Sequence, residues 1–470
     1  MVEPRVHKLN EREVRPDGEY VLYWLRWNRR AESNHALAFA AGLANRLNLP
    51  LLVLESLGSR DPYANDRRHT FVLEGVAETA ARLRRLGAGY QFHLARRKSE
   101  GDRVVYEAAQ KATAVVTDGY PETLAGPTAV FDVQAYAVDS SCVVPTNCIE
   151  ARSYAAYSIR PKIQRLLPQY LKAVPPVRLQ KRFGGHAEDT GNGRRERSIA
   201  FRIPHEPIAK LVASCEIDHS VRPSTAFRGG RVEAERHLQL FLEERLRRYS
   251  GEKNEPCAHA TSDLSPYLHF GHISSLEVAL AVQDYAREHK LVADEFIEEL
   301  IVRRELAFNF VRYAKRVNSL DELPQWARAT LDKHRPDPRD PVYTREQFES
   351  AATCDDLWNA TQKELLLRGK IHGYYRMYWG KKIVEWSATP EEALAMMIHL
   401  HDRYALDGQD PNTYANILWC FGLHDRPWGE RPVFGTVRWM SRAGMDRKTG
   451  VKAYIQEIEY LERTGKEQIT

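Results

Sequence analysis

The sequence predicts a chain in two parts, an N-terminal α/β domain with a doubly wound parallel sheet and an all-α C-terminal domain. Three observations predict it. Residues 20–175 alternate strand-length apolar runs with helical patterns, as parallel strands joined by crossover helices require. Residues 176–230 include PPVRLQKRFGGHAEDTGNGRRERS, rich in Gly, Pro and charge, which reads as a linker or long surface loop. Beyond 230 the pattern is helical almost throughout. The expected division is therefore 1–175, a linker over 176–230, and a helical domain over 231–470.

The elements follow in order. YVLYWL (20–25) and LPLLVLESL (49–57) have strand length, and AESNHALAFAAGLANRL (31–47) between them has helical periodicity. A second helix fits FVLEGVAETAARLRRL (71–86). YQFHLA (90–95), TAVVTD (113–118) and TAVFDV (128–133) complete the strands. No GxGxxG follows the first strand, so a dinucleotide site of the dehydrogenase type is not indicated. In the second half, RVEAERHLQLFLEERLRRY, DEFIEELIVRRELAFNFVRYAKR and ATPEEALAMMIHLHDRY are long and amphipathic, and seven of the nine tryptophans lie between 326 and 439.

Composition narrows the class. A chain of 470 residues with 43% hydrophobic and 28% charged residues is an ordinary globular protein. No apolar run approaches the roughly 18 residues of a membrane span, and the charged start MVEPRVHKLNEREVRPDG has no signal-peptide core. A cytoplasmic monomer without membrane contact is expected. The cysteines at 142, 148, 215, 257, 354 and 420 form no CxxC pair and no metal-spaced cluster, so reduced thiols and no metal are expected. Net charge is +5, which permits a polyanionic partner without requiring one. HDRPWGERPVFGTVRWMSRAGMDRKTG alternates basic and aromatic residues. It suits a surface that meets phosphates and bases together, or a solvated loop.

Four motifs carry candidate chemistry. In ATSDLSPYLHFG the hydroxyls of Thr261, Ser262 and Ser265 stand beside a helix start, where they serve as an anion site or as caps. In EELIVRREL, Glu299 and Arg303 are four apart and share a helical face. They form a surface pair, or an inward carboxylate and guanidinium. Trp379 and Trp386 are seven apart, about 10 Å along one helix, with Trp358 on another. They are core packing or a row that passes an electron. LDGQDPN offers Asp407, Asp410 and Asn412 as acceptors, with Asp407 placed to pair with Arg376; the other reading is a turn with Asx-type hydrogen bonds.

Together, SDLSPYLHFG, EELIVRREL, GKIHGYYRMYWGKKIVEW, LDGQDPN and HDRPWGERPVFG resemble class II cyclobutane pyrimidine dimer photolyases of the photolyase/cryptochrome family, from about residue 20 to 457. The resemblance implies an antenna-type α/β domain and a helical domain holding FAD in a folded form. It implies cofactor contacts from Tyr249, Thr261, Ser262, Leu264 and Ser265, from Arg303 at the phosphates, and from Arg376 and Asp407 beside the flavin ring, with Asp410 and Asn412 in the same turn. Trp358, Trp379 and Trp386 match the family's photoreduction chain, with Trp379 nearest the flavin. Asn254, Glu299, Met377 and Trp419 match contacts to a flipped-out dimer, and Arg426, Trp428 and Arg438 match contacts to UV-damaged DNA. The implied reaction is light-driven electron donation from reduced FAD to the dimer, cleavage of the two bonds that join the pyrimidines, and return of the electron.

The sequence also departs from the family. His401 stands where an Asn faces flavin N5, Phe308 where an Asp is usual, and Lys253 where Arg is common. An imidazole with its ordinary pKa of about 6.5 predicts a flavin whose redox behaviour depends on pH between about 5.5 and 8. VDSSCVVP departs from the family's VDAHNxVP and leaves open an antenna pigment, deazaflavin or folate. His401 and Phe308 support an alternative reading, a cryptochrome-type blue-light photoreceptor. A third reading is a photolyase for the (6-4) lesion.

Overall fold

The sheet shows how alternation in the sequence becomes two buried faces. The structure, a computed structural model, describes residues 4–125, 130–184, 201–202 and 205–467. Seven strands are present: β1 (Val6–Lys8), β2 (Tyr20–Leu25), β3 (Leu51–Leu57), β4 (Gly89–Leu94), β5 (Ala112–Asp118), β6 (Ala135–Val138) and β7 (Phe201–Arg202). Their order is β1-β6-β5-β2-β3-β4-β7, parallel except where β1 pairs with β6. Every residue of β2 is buried. Val21, Tyr23 and Leu25 pack with the helices His35–Arg46 and Asp66–Leu86, while Tyr20, Leu22 and Trp24 pack with Val105, Phe131 and Val133. Burial on both faces is why the strand reads as an unbroken apolar run.

Helix starts follow their caps. Asn34 accepts Leu37 N–H at 2.9 Å and opens His35–Arg46. Asn65 accepts Arg68 N–H at 3.0 Å, so the second helix begins at Asp66, five residues before its apolar pattern. It ends at Gly87, whose φ of +88° suits glycine.

Two strand expectations need correction. The last predicted strand, 128–133, is instead Ala135–Val138; of the predicted run, 128–129 lie outside the described residues. The carbonyls of Phe131 and Val133 take hydrogen bonds from Asn10 Nδ2, and their side chains plug the sheet's second face. β1, with the sequence VHK, has no apolar run to announce it. Within 176–230, residues 185–200 and 203–204 lie outside the described residues. The described part adds β7 to the sheet edge, and the helix Ile208–Ala213 places Leu211 and Val212 in the same core as Leu73 and Val76.

The second half is helical. Asp356–Arg368, Gly373–Trp386, Pro390–Tyr404, Pro411–Trp419 and Val451–Thr464 share one core. A second core joins Arg231–Leu240, Ser275–His289 and the strand-to-helix segment around Val143. Two predicted helices are interrupted by π-helical turns, Phe241–Arg245 and Glu298–Arg303. Such turns insert one residue per turn and recur at functional sites.

Candidate active site

The second π turn forms one wall of a cavity of about 750 Å³ in the helical half, a size usual for cofactor clefts. Tyr249, Thr261, Ser262, Leu264, Ser265, Arg303, Arg376, Asp407, Asp410 and Asn412 all line it, and so do Asn254, Glu299, Met377, Trp419 and Arg438. His401 lies behind this wall, lining a small void with Arg376, Met377 and Trp379.

The LDGQDPN turn is built to aim its carboxylates. Asp402 Oδ1 accepts Gln409 N–H at 2.9 Å, and a Cβ at Gly408 would fall 2.9 Å from the His401 carbonyl. Asp410 caps Pro411–Trp419 by accepting Asn412 N–H at 2.9 Å, and it meets His269 Nδ1 at 3.2 Å. Burial pushes the Asp410 carboxyl up, but His269 and Arg304 outweigh it and hold it at about 2. The Arg376–Asp407 pair is present, with Nη1 to Oδ2 at 3.9 Å. Burial pushes the Asp407 carboxyl up as well; His401 and Arg376 bring it below the usual carboxylate range.

Also on the lining, Asp263 sits in left-handed backbone at φ +56° and accepts from Lys370 Nζ at 2.8 Å and Arg245 Nη1 at 2.7 Å. These cations overcome its burial and hold it ionised. Lys370 lines the cavity and was not a sequence candidate. Its signal would have been Asp263, an acid inside a hydroxyl-rich segment that needs a cationic neighbour. Ser265 Oγ and Arg303 Nε are buried at the cavity wall without a hydrogen-bond partner among the described protein atoms. Ser262 Oγ meets Leu264 N–H only at 3.5 Å.

Glu299 and Arg303 both line the cavity, as the inward reading expects, but they do not pair with each other. Arg303 Nε lies 3.8 Å from Glu298 and its guanidinium 5.7 Å from the Trp419 ring centroid. Glu299 points to the mouth, about half exposed, 3.4 Å from Lys253 Nζ, which also meets Glu295 at 3.2 Å.

The tryptophans form a row in an order the spacing did not give. Trp358 stands between the other two, stacked on Trp379 at 6.4 Å with 4° between planes and edge-on to Trp386 at 6.1 Å. All three are buried. Trp379 is the member that borders the void shared with Arg376 and His401.

His401 also departs from its expected behaviour. Its Nε2 is 4.0 Å from Asp407 Oδ1 and its Nδ1 3.5 Å from Thr413 Oγ1. Burial outweighs the attraction of Asp407 and lowers its pKa to about 4. The imidazole is thus neutral across pH 5.5–8, and the expected pH dependence moves to more acidic conditions.

Phe308 is not among the residues lining the cavity. It packs edge-on against Tyr120 at 5.6 Å, under Arg304. Trp27 stacks on the other side of Tyr120 at 4.4 Å. These rings follow the carboxyl ends of β2 and β5, the point where strand order reverses and a doubly wound sheet opens its ligand crevice.

A family model described as DNA photolyase matches residues 21–179. The chain is 37% identical to the deoxyribodipyrimidine photo-lyase of Methanothermobacter thermautotrophicus, over 97% of this chain and 98% of that protein. The chain belongs to the DNA photolyase family. It is also 35% identical to the Arabidopsis thaliana deoxyribodipyrimidine photo-lyase, over 96% of this chain and 92% of that one. Its fold is that of a Synechocystis cryptochrome (TM-score 0.64, 16% identity, 88% of this chain and 84% of that one). It is equally that of a Sulfolobus tokodaii photolyase solved with two FAD molecules (TM-score 0.62, 16% identity, 94% and 91%). The expected α/β sheet domain and helical C-terminal region are thus the family fold.

Of the remaining surface candidates of this photolyase-family chain, Arg426 and Trp428 do not line the cavity, while Arg438 borders both it and Trp428. Trp428 is 41% exposed and lies between the guanidinium groups of Arg426 at 5.3 Å and Arg438 at 5.1 Å. Trp428 and Arg438 border a second cleft of about 710 Å³ with Arg431, Trp439, Arg447 and Lys448. All six cysteines are free. No described helix is long and apolar enough to cross a membrane.

Proposed function

We propose that this chain is a class II photolyase that splits cyclobutane pyrimidine dimers in UV-damaged DNA, using FAD held in the helical part, 231–470. The carrying observation is the cavity itself, which combines a phosphate-suited end, a charged pair for a flavin ring, a lesion-suited mouth and a tryptophan row behind its wall.

The residues fit FAD. Thr261, Ser262 and Ser265 offer hydroxyls on the same lining as Lys370, and the buried Ser265 Oγ and Arg303 Nε have no close hydrogen-bond acceptor among the described protein atoms, which leaves them available to a ligand. Arg376 and Asp407 offer a donor and an acceptor for a heterocycle edge. When bound, reduced FAD supplies light-driven one-electron chemistry that is lent to the dimer and recovered, so the reaction is redox-neutral.

The chain's own groups bind and orient the lesion. Glu299 accepts hydrogen bonds from a pyrimidine edge, and Lys253 holds it in place. Trp419 and Met377 supply apolar walls, and Asn254 a polar contact at the rim. A dimer stacks poorly, so extracting it costs less than extracting intact bases.

The test is repair of a defined dimer in DNA by the reduced, FAD-loaded protein under blue light. Persistence of the dimer overturns the reading. Glu299→Ala should lower repair by about 10- to 100-fold, the value of a hydrogen bond to a charged group, with FAD content unchanged. Unchanged repair would remove Glu299 from the role. The photoreceptor reading draws on His401, buried beside Asp407 and Arg376; it would give light-driven absorbance changes and no repair in the same assay.

A further inference from the structure

We infer that Tyr154 and Tyr157, with the partly buried Trp326 bracing the first ring, form a stacking shelf for bases flanking the lesion, extending the DNA-binding face onto the segment that leaves the sheet. The inference rests on the DNA reading above and assigns a surface outside the cavity and outside the Arg426/Trp428/Arg438 group.

Tyr154 is 43% exposed and Tyr157 is 66% exposed. Their ring centroids lie 6.4 Å apart at 53°. The first ring is fixed in place. Tyr154 Oη donates to the Asp425 carbonyl at 3.1 Å and accepts Trp326 Nε1–H at 2.9 Å. The Tyr154 carbonyl accepts from His424 Nδ1 at 2.6 Å. Each link leads to the nucleic-acid face. His424 lines the cavity, and the Asp425 carboxylate accepts from Trp428 Nε1 at 3.3 Å.

One helical turn after Tyr157, Arg160 forms a forked pair with Glu298 at 3.0 and 2.7 Å, beside Arg303 on the cavity wall. The segment is therefore fastened to the rim at two points, and its aromatic rings still face water.

Chemistry favours bases as the occupant. Asp425 links the shelf to Trp428, whose ring lies beside the Arg426 and Arg438 guanidinium groups, and Arg328, two residues after Trp326, is exposed. Interleaved aromatic rings and arginines receive unstacked bases and their phosphates. Extracting a dimer leaves neighbouring bases without a stacking partner on one side. A rigid ring beside the mouth replaces that partner.

The test uses the FAD-loaded protein and a duplex carrying one dimer, with 2-aminopurine placed on either side of the lesion in separate duplexes. Tyr157 makes no structural hydrogen bond among the described contacts, so Tyr157→Ala should fold normally. It should bind about tenfold more weakly, as loss of one stacked base does, with the salt dependence unchanged. Tyr157→Trp should restore affinity. Arg426→Ala should instead weaken damaged and undamaged DNA alike and lower the salt slope by about one. 2-Aminopurine on one side should be quenched by the native protein and less so by Tyr157→Ala. Native preference for dimer DNA with equal affinity and quenching in Tyr157→Ala overturns the shelf alone. No native preference for dimer DNA overturns the shelf and the repair reading together.

Discussion

Trp379→Phe should abolish light-driven reduction of oxidised flavin while dimer repair by chemically reduced protein is largely kept. The geometry separates the two. Trp379 borders the void shared with Arg376 and His401, and its plane lies 4° from that of Trp358 at 6.4 Å. Phenylalanine is much harder to oxidise than indole, so the substitution removes the link between the cavity and the rest of the row. Trp358 remains, one ring further away, and Trp386 lies 6.1 Å beyond it. In the proposed reaction the electron lent to the lesion is recovered, so repair needs no supply from the row.

The substitution has a structural cost. Trp379 Nε1 donates to Gln362 Oε1 at 2.9 Å in a fully buried setting. Losing that donor and part of the ring's volume costs about 1–3 kcal/mol. Flavin content and circular dichroism of the variant therefore accompany the photoreduction measurement. Normal photoreduction in a folded, flavin-loaded variant would make the row core packing.

Local grammar was legible in the sequence and contacts across elements were not. β2 was readable because every residue is buried and all six are apolar or aromatic. β1 was not, because three residues of mixed polarity gain their place only by pairing with β6. The residues around the cavity were legible through motifs in chain order. Their pairings were not. Arg303 pairs with Glu298 in its own turn, and Glu299 pairs with Lys253 from another helix end. Helical spacing gave Trp379 and Trp386 one face but could not place Trp358 between them, because it comes from another helix. The behaviour of His401 was illegible for the same reason, since its pKa is set by packing that only the fold creates.

Acid should unfold this protein near pH 5 and expel its flavin in the same transition. Burial is the largest cause of a lowered pKa at nine histidines, His7 and His93 among them; it reaches about 3 for His35, His272 and His372, and about 4 for His69, His237, His401 and His424. Six of these rings have a buried nitrogen without a partner, and His69 has two, so a proton there would be a buried unpaired charge. The sign follows from proton counting. Unfolded imidazoles titrate near 6.5, so between about 6.5 and 4 the unfolded chain binds more protons than the folded one. Stability is full above pH 6.5 and falls as pH falls, by about 1.4 kcal/mol per pH unit for each histidine. Four acids act the other way. Burial raises Glu305 to about 8 and Asp402 to about 6, and it raises Glu55 and Glu74 as well; their protonation favours the fold as pH falls. The lowered histidines outnumber the raised acids, so stability falls on balance around pH 5, against a total of roughly 5–15 kcal/mol. His424 lines the cavity and His401 lies behind its wall, so the same protons dismantle the cofactor site. Tryptophan fluorescence and free-flavin emission, followed from pH 7.5 to 4.5, should change together. A protein equally stable to urea at pH 7 and pH 5 would mean that these imidazoles are accessible and titrate normally, which the packing around His69, His272 and His401 does not allow.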